Sequence, residues 1–263
     1  MESDTNQIMN LTKKIVVFDL DGTLAESKRP ITEEIAHLVE ELIKEKLVVI
    51  ISGGSFDQFG KQFLPAFHKE DLKSPFIKNL ILLPTSGSQR YEYDGETKEW
   101  KLTDLEIFSE DVKAKAKKIL TEMINSGLYD IPKNPIGEYV EDRITQLSIS
   151  ALGQQAPIEQ KKLWDPDQKK RQKMKIILDK ELPETSIIIG GTTTIDILPK
   201  GFDKAKGLKR LLDKLGMTID DMIFVGDSIF PGGNDYSAYE AGIESIKVSD
   251  PTETKEVIKK WLA

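Results

Sequence analysis

Two carboxylates separated by one residue, in Asp19-Leu20-Asp21-Gly22-Thr23-Leu24, follow directly on the short apolar run Ile15–Phe18. On a turn leaving a buried strand, such a pair can converge on one substrate phosphate. One carboxylate can attack phosphorus while the other protonates the leaving oxygen and later deprotonates the acceptor. Gly22 frees the backbone for the turn. A carboxylate nucleophile approaches an anionic phosphate only if charge is neutralised, and a hard, oxygen-ligated Mg²⁺ is the natural cofactor. An Asp-Gly pair after a strand is also an ordinary turn, so its weight depends on what stands elsewhere in the chain.

Three further segments add that weight. Ser52, in Ile51-Ser52-Gly53-Gly54-Ser55, can donate to a phosphate oxygen, and Gly53 beside it exposes backbone N–H as part of an anion nest. Lys204, in Pro199-Lys200-Gly201-Phe202-Asp203-Lys204, can offset the charge of Asp19 and the phosphate together, although a lone lysine is usually solvated. Asp227, in Gly226-Asp227-Ser228-Ile229-Phe230-Pro231-Gly232-Gly233-Asn234-Asp235, supplies another metal carboxylate. Asn234 and Asp235 return after a turn and can orient Asp227, Lys204 or a metal-bound water.

The elements that must position these residues are legible in the apolar pattern. Ile15–Phe18, Leu47–Ile51 and Met222–Val225 read as strands buried on both faces of a parallel sheet. Ile31–Lys46 carries Ile31, Ile35, Leu38, Val39, Leu42 and Ile43 at helical spacing, with His37 off that stripe and exposed. Thr32, Glu33 and Glu34 suit its start. Strand, helix, strand implies a right-handed crossover in an open, doubly wound, Rossmann-like sheet whose ligands bind beyond the carboxyl ends of its strands. Lys204–Leu215 as helix and Asp221–Val225 as strand resume this pattern late in the chain.

Between these blocks the rhythm differs. Ser109–Ser126 reads as a helix, Tyr139–Leu152 as a strand pair, Asp165–Leu182 as a charged helix, and Ile187–Leu198 as one strand with Gly190-Gly191 inside it. That is an α+β insert. The expected organisation is a core of residues 1–103 and 200–263, with a substrate-specificity cap over 104–199.

Composition sets bounds. In 263 residues, 37 basic and 44 acidic side chains leave a net charge of −7, which argues against nucleic-acid binding. With no cysteine and two histidines, disulfides, thiolate sites and multi-histidine metal sites are closed. No apolar stretch reaches membrane-spanning length. Met1–Thr12 reads as a partly mobile lead-in lacking a signal peptide's apolar stretch. A cytoplasmic protein, monomer or homodimer, without membrane or nucleic-acid partners, is expected.

The order Asp-x-Asp-Gly-Thr, strand-end serine, lysine and Gly-Asp…Asn-Asp resembles the four motifs of the haloacid dehalogenase superfamily. The resemblance implies Asp19 as nucleophile and Asp21 as acid/base. It also implies a Mg²⁺ held by the carboxylates of Asp19 and Asp227 and by a backbone carbonyl of Asp21. Over most of the chain the similarity narrows, within subclass IIB, to the eukaryotic-type phosphomannomutase branch. It rests there on Pro231-Gly232-Gly233-Asn234-Asp235, on Gly190-Gly191 with Thr194, Asp196, Pro199, Gly201, Phe202, Asp203 and Lys204, and on Val140-Glu141-Asp142-Arg143 with Ser148. It implies that Arg143 grips a distal phosphate and that Thr194 and Asp196 contact sugar hydroxyls, with Arg29 a further phosphate contact.

One departure bears on the acceptor. Where that branch carries an arginine in a Gly-Arg pair, this chain has Gly153-Gln154, and glutamine cannot form a charged two-pronged clamp. A mutase must hold a sugar bisphosphate during turnover. The expectation is therefore a sugar-phosphate phosphatase, in which water resolves the aspartyl-phosphate. The alternative is a phosphomannomutase-like phosphohexomutase with a sugar hydroxyl as acceptor. A remote third reading is a non-catalytic sugar-phosphate sensor.

Overall fold

The structure, a computed structural model, describes residues 12–26, 29–67 and 74–263. All of the lead-in except Thr12 lies outside them. The chain divides into two compact units: Met1–Asp104 with Lys204–Pro231 and Asp235–Ala263, and Leu105–Asp203 with Gly232–Asn234.

In chain order the first unit opens with β1 (Ile15–Asp19), α1 (Glu33–Ile43), β2 (Leu47–Ile51), α2 (Phe56–Gln62), β3 (Leu80–Leu83), β4 (Gln89–Asp94) and β5 (Glu99–Leu105). The second unit holds α3 (Glu110–Asn125), β6 (Val140–Asp142), β7 (Leu147–Ser150), α4 (Ile158–Trp164), α5 (Lys169–Glu181), β8 (Thr185–Gly190) and β9 (Thr194–Pro199). The first unit closes with α6 (Lys204–Leu215), β10 (Met222–Gly226), α7 (Tyr236–Glu240), β11 (Glu244–Lys247) and α8 (Pro251–Leu262).

The larger sheet runs β11-β10-β1-β2-β3-β4-β5. Its strands from β11 to β3 pair in parallel, and β4 pairs antiparallel to β3. The continuous apolar reading of β1 has a direct cause in packing. Val16 and Phe18 enter a core shared with α1 and α8, whereas Ile15 and Val17 enter a second core with α6 and α7. Helices on both faces leave no solvent-facing position, so the strand does not alternate. The register Asp19↔Ile51 and Phe18↔Val225 aligns the carboxyl ends of β1, β2 and β10. Asp19, Ser52 and Asp227 therefore lie along one sheet edge.

Helix α1 is shorter than the Ile31–Lys46 periodicity. Thr32 ends it as N-cap, its hydroxyl accepting the Ile35 N–H at 3.3 Å, and a side-chain cap of this kind fixes where the helix begins. Beyond β3, the residues Thr85, Ser86 and Gly87 all take positive φ. The amides of Thr85 and Ser86 donate to the carbonyls of Gly54 and Ser52, so this turn clamps the segment after β2. Gly87 sits hard against Gly207 of α6, where a Cβ on Gly87 would lie 2.8 Å from the Gly207 Cα.

The second unit carries the antiparallel sheet β6-β7-β9-β8. Leu147, Ile149, Ile187, Ile195 and Ile197 face α3 and α5 and build its core. The Ile187–Leu198 segment is a hairpin and not the single strand expected, because Gly191 takes positive φ and turns the chain. Helix α5 begins at Lys169, not Asp165. Asp165 instead accepts the N–H groups of Lys170 and Arg171 and pairs with the buried Arg171 guanidinium at 2.8 Å. Among the described residues no helix is long and apolar enough to cross a membrane.

Candidate active site

Asp19 is the last residue of β1 and is buried, and Lys204, the first residue of α6, reaches it. The Lys204 ammonium donates to Asp19 Oδ1 and, at 2.5 Å, to Asp235 Oδ1. Burial drives the Asp19 carboxyl well above its usual range; Lys204 opposes this, while Asp235 and Asp227 reinforce it. Burial by itself would lower the Lys204 ammonium, yet Asp19 and Asp235 push it above its ordinary value. Asp227 is raised by burial and by Asp235, with Lys204 opposing.

Oxygen atoms of Asp19, Asp227 and Asp235 lie within 4.8 Å of one another. Lys204 bonds two of the three carboxylates and Asp227 adds a third, half-buried one, an excess of negative charge in an all-oxygen donor set. Such a set suits a hard divalent cation such as Mg²⁺. The second oxygen of Asp235 accepts the Ser228 N–H at 3.0 Å, and Ser228 Oγ approaches Asp227 at 3.3 Å. Gly22 has φ +92°, and a Cβ there would stand 2.6 Å from Asp227 Oδ2. Its absence of a side chain serves both the turn and the approach of Asp227.

Ser52 is buried, and its Oγ accepts the Gly54 N–H at 3.0 Å, which leaves the hydroxyl proton to be donated elsewhere. Gly53 lies half-buried beside it. Asn234 is half-buried and belongs to the second unit. The Arg29 side chain is exposed and pairs with Glu26 at 3.3 Å.

Sequence reasoning missed two residues here. Asp21 is held from α2: Gln58 Nε2 donates to its Oδ2 at 3.0 Å, and Gln62 Nε2 donates to its Oδ1 at 3.1 Å. The available signal was a pair of carboxamides spaced i, i+4 on a helix that starts just after Ser52-Gly53-Gly54. Gln62 is buried beside Phe59 and Phe63, and a buried glutamine needs partners.

In the second unit, one face of the sheet is polar. Glu141 is paired across with Ser148, and Ser148 with Asp196. The Arg143 side chain, 8% exposed, bonds Glu141 at 2.7 Å. Burial raises the Asp196 carboxyl, and the charge of Arg143 opposes the rise. Ser148 Oγ and Asp196 Oδ1 are both buried, on residues that face each other across β7 and β9. Thr194, at the start of β9, is half-buried and pairs with Ser150. A carboxylate, a hydroxyl and a guanidinium gathered on one sheet face suit a polar ligand more than an apolar core.

Gln154 has a different occupation. Its carboxamide donates to the carbonyls of Ser148 at 3.0 Å and Tyr139 at 3.4 Å, and its backbone carbonyl accepts from the ammonium of the buried Lys161 at 2.9 Å. Gly153 before it has φ +93°, and a Cβ there would meet the Ile136 carbonyl at 2.4 Å.

The family model described as "Eukaryotic phosphomannomutase" matches residues 37–263. A phosphomannomutase of Encephalitozoon cuniculi is 27% identical, the match covering 95% of this chain and 94% of that protein. One from Arabidopsis thaliana is 28% identical over 86% of this chain and 87% of its own length. Among solved structures, IMP-bound Plasmodium falciparum IMP-nucleotidase aligns with a TM-score of 0.67 at 18% identity, covering 97% of this chain and 70% of that one. A haloacid dehalogenase-like hydrolase from Bacteroides thetaiotaomicron aligns at 0.58 and 17% identity, covering 94% and 99%. At such identities the structural likeness concerns the fold alone.

Proposed function

Because this chain belongs to the eukaryotic phosphomannomutase family, we propose that it is a phosphohexomutase working through a phosphoryl group carried on Asp19. Phosphoryl transfer on a haloacid dehalogenase scaffold follows from the family; the identity of the acceptor is the proposal. The observation that carries it is the match along 37–263, since the geometry around Asp19 serves a sugar hydroxyl and water alike. The phosphatase expected from Gln154 thus becomes the second reading.

In the first half-reaction Asp19 attacks phosphorus, the bond from phosphorus to the sugar oxygen breaks, and Asp21 delivers a proton to that oxygen. In the second, Asp21 takes the proton of the acceptor hydroxyl, whose oxygen attacks phosphorus and releases the Asp19 carboxylate. Ser52 and the Gly53 amide offer donors to the transferring group, and Lys204 counters the charge of Asp19. Asp19, Asp227 and the Asp21 backbone carbonyl would hold a Mg²⁺ ion, with Asp235 close by. That ion would neutralise phosphate charge and polarise the P–O bond. Recognition of the sugar phosphate falls to the polar sheet face of the second unit: Arg143 for a phosphate, Thr194 and Asp196 for hydroxyls. Arg29 is a further phosphate contact.

One observation favours hydrolysis. Gln154 is committed to two backbone carbonyls and supplies no charge for a bisphosphate. The test is ³¹P NMR of the protein with Mg²⁺, mannose 1-phosphate and a little hexose 1,6-bisphosphate. Conversion to mannose 6-phosphate without phosphate release supports the mutase. Accumulating inorganic phosphate would overturn it in favour of the hydrolase.

A further inference from the structure

Asp21 does not stand free in its turn; it is gripped by a directional chain of amides. Gln62 Nε2 donates to Asp21 Oδ1 at 3.1 Å and to the Arg29 carbonyl at 3.2 Å. A carbonyl only accepts, so the Gln62 NH₂ group must face Arg29 and Asp21, and its Oε1 must face Gln58. That oxygen accepts from Gln58 Nε2 at 2.5 Å, and the other proton of the same nitrogen goes to Asp21 Oδ2 at 3.0 Å. Both protons of each amide are thereby used, and each oxygen of Asp21 receives one. Each carboxylate oxygen has two acceptor sites, and on each the glutamine donor fixes the direction of one of them.

The backbone anchors this chain. The Gln62 carbonyl accepts the Ile31 N–H at 2.8 Å, fixing the end of α2 against the segment that follows the Asp21 turn. Gly54 leaves the space that Gln58 occupies, since a Cβ there would stand 2.4 Å from Gln58 Oε1.

We propose that Gln58 and Gln62 are positioning residues that lock the Asp21 carboxyl in the rotamer from which it exchanges a proton with the sugar oxygen. The proposal rests on the reading of Asp21 as the acid/base. General acid–base catalysis acts only from hydrogen-bonding reach and good alignment, and an aspartate on a turn would otherwise sample several rotamers. Among the described residues neither glutamine hydrogen-bonds Asp19, which Lys204 holds instead.

Leaving-group dependence separates this role from a merely structural one. A nitrophenyl phosphate departs without a proton, whereas a hexose phosphate requires one. The experiment measures single-turnover phosphorylation of Asp19 by both compounds in the full chain with Mg²⁺, comparing the parent with Gln58→Met, Gln62→Met and Asp21→Asn. Methionine keeps the length of glutamine and removes its donors. Gln58→Met is the decisive variant, because it leaves the Gln62–Arg29 bond in place and so preserves the local fold. The expected result is a loss on the order of 10- to 100-fold with the hexose phosphate, part of the ~10²–10⁴ that a positioned acid supplies, with the nitrophenyl phosphate rate unchanged. Equal slowing of both compounds by Gln58→Met, or of neither, overturns the positioning role. If Asp21→Asn itself fails to discriminate between the two, the assignment of Asp21 fails and the proposal falls with it.

Discussion

Lys204 and Asp235 form a buried ion pair of 2.5 Å in which neither side chain is more than 1% exposed. The same ammonium also holds Asp19. Removing one member of a buried pair strands the other charge, which costs about 3–5 kcal/mol. Lys204→Met should lower stability by that amount in chelator-treated protein, read as a shift of the urea midpoint. Adding Asp235→Asn should recover part of the loss. If the double variant is no more stable than the single one, the pair is not what stabilises this corner.

Gly22 should be intolerant for two reasons that act together. Its positive φ strains any L side chain, and a Cβ would collide with Asp227 Oδ2. Gly22→Ala is expected to cost about 1–3 kcal/mol and to depress phosphoryl transfer, because the alanine methyl displaces Asp227. Thermal unfolding and a ³¹P assay on the same sample check both. A fully active, fully stable variant would remove the steric argument.

Ile144 offers the opposite opportunity. It follows Arg143 in the β6–β7 turn with φ +69°, a left-handed conformation that β-branched residues rarely take, and its side chain is exposed. Asparagine tolerates this conformation. Ile144→Asn should therefore stabilise the protein by about 1 kcal/mol, with KM for sugar phosphate unchanged. Denaturant midpoints would contradict this if they fell.

Asp196 should trade stability for function. Burial raises its folded carboxyl above the reference value of 3.8, so ionising it opposes folding. That penalty is complete above the folded value, shrinks as pH falls, and vanishes below 3.8. Asp196→Asn should then be more stable than the parent at pH 7, with the difference closing as the pH is lowered towards 3.8. The same variant should bind sugar phosphate more weakly. A stability gain independent of pH would point to packing instead.

The sequence was informative where one physical cause dominated. Ile15–Phe18, Leu47–Ile51 and Met222–Val225 announce buried strands because both faces are covered, and the helical stretch between the first two points to parallel pairing. Lys204–Leu215 was legible as a helix to the residue, since its apolar face is unbroken. Strand β5 was not read because it is largely exposed and carries no apolar alternation, whereas β3 is a buried apolar run, Leu80–Leu83, as short as β1 and all leucine and isoleucine, a pattern that a helix segment shares. Gln58 and Gln62 escaped for a different reason: carboxamides have no titration and no motif signature, and only their shared partner gives them meaning. Gln154 lacks charge by its residue type alone, but its binding to two backbone carbonyls depends on tertiary placement that spacing does not contain.

The contact between Gly87 and Gly207 has a consequence for how this chain can change. Neither position can accept even a methyl group while the backbones stay where they are, and no second substitution elsewhere supplies the missing room. A library randomised at both codons and selected for activity should therefore return glycine at each, independently, with no compensating pairs. Lineages of this protein would then be expected to explore other parts of α6 freely while this one crossing point stays frozen, a historical constraint set by two missing carbon atoms.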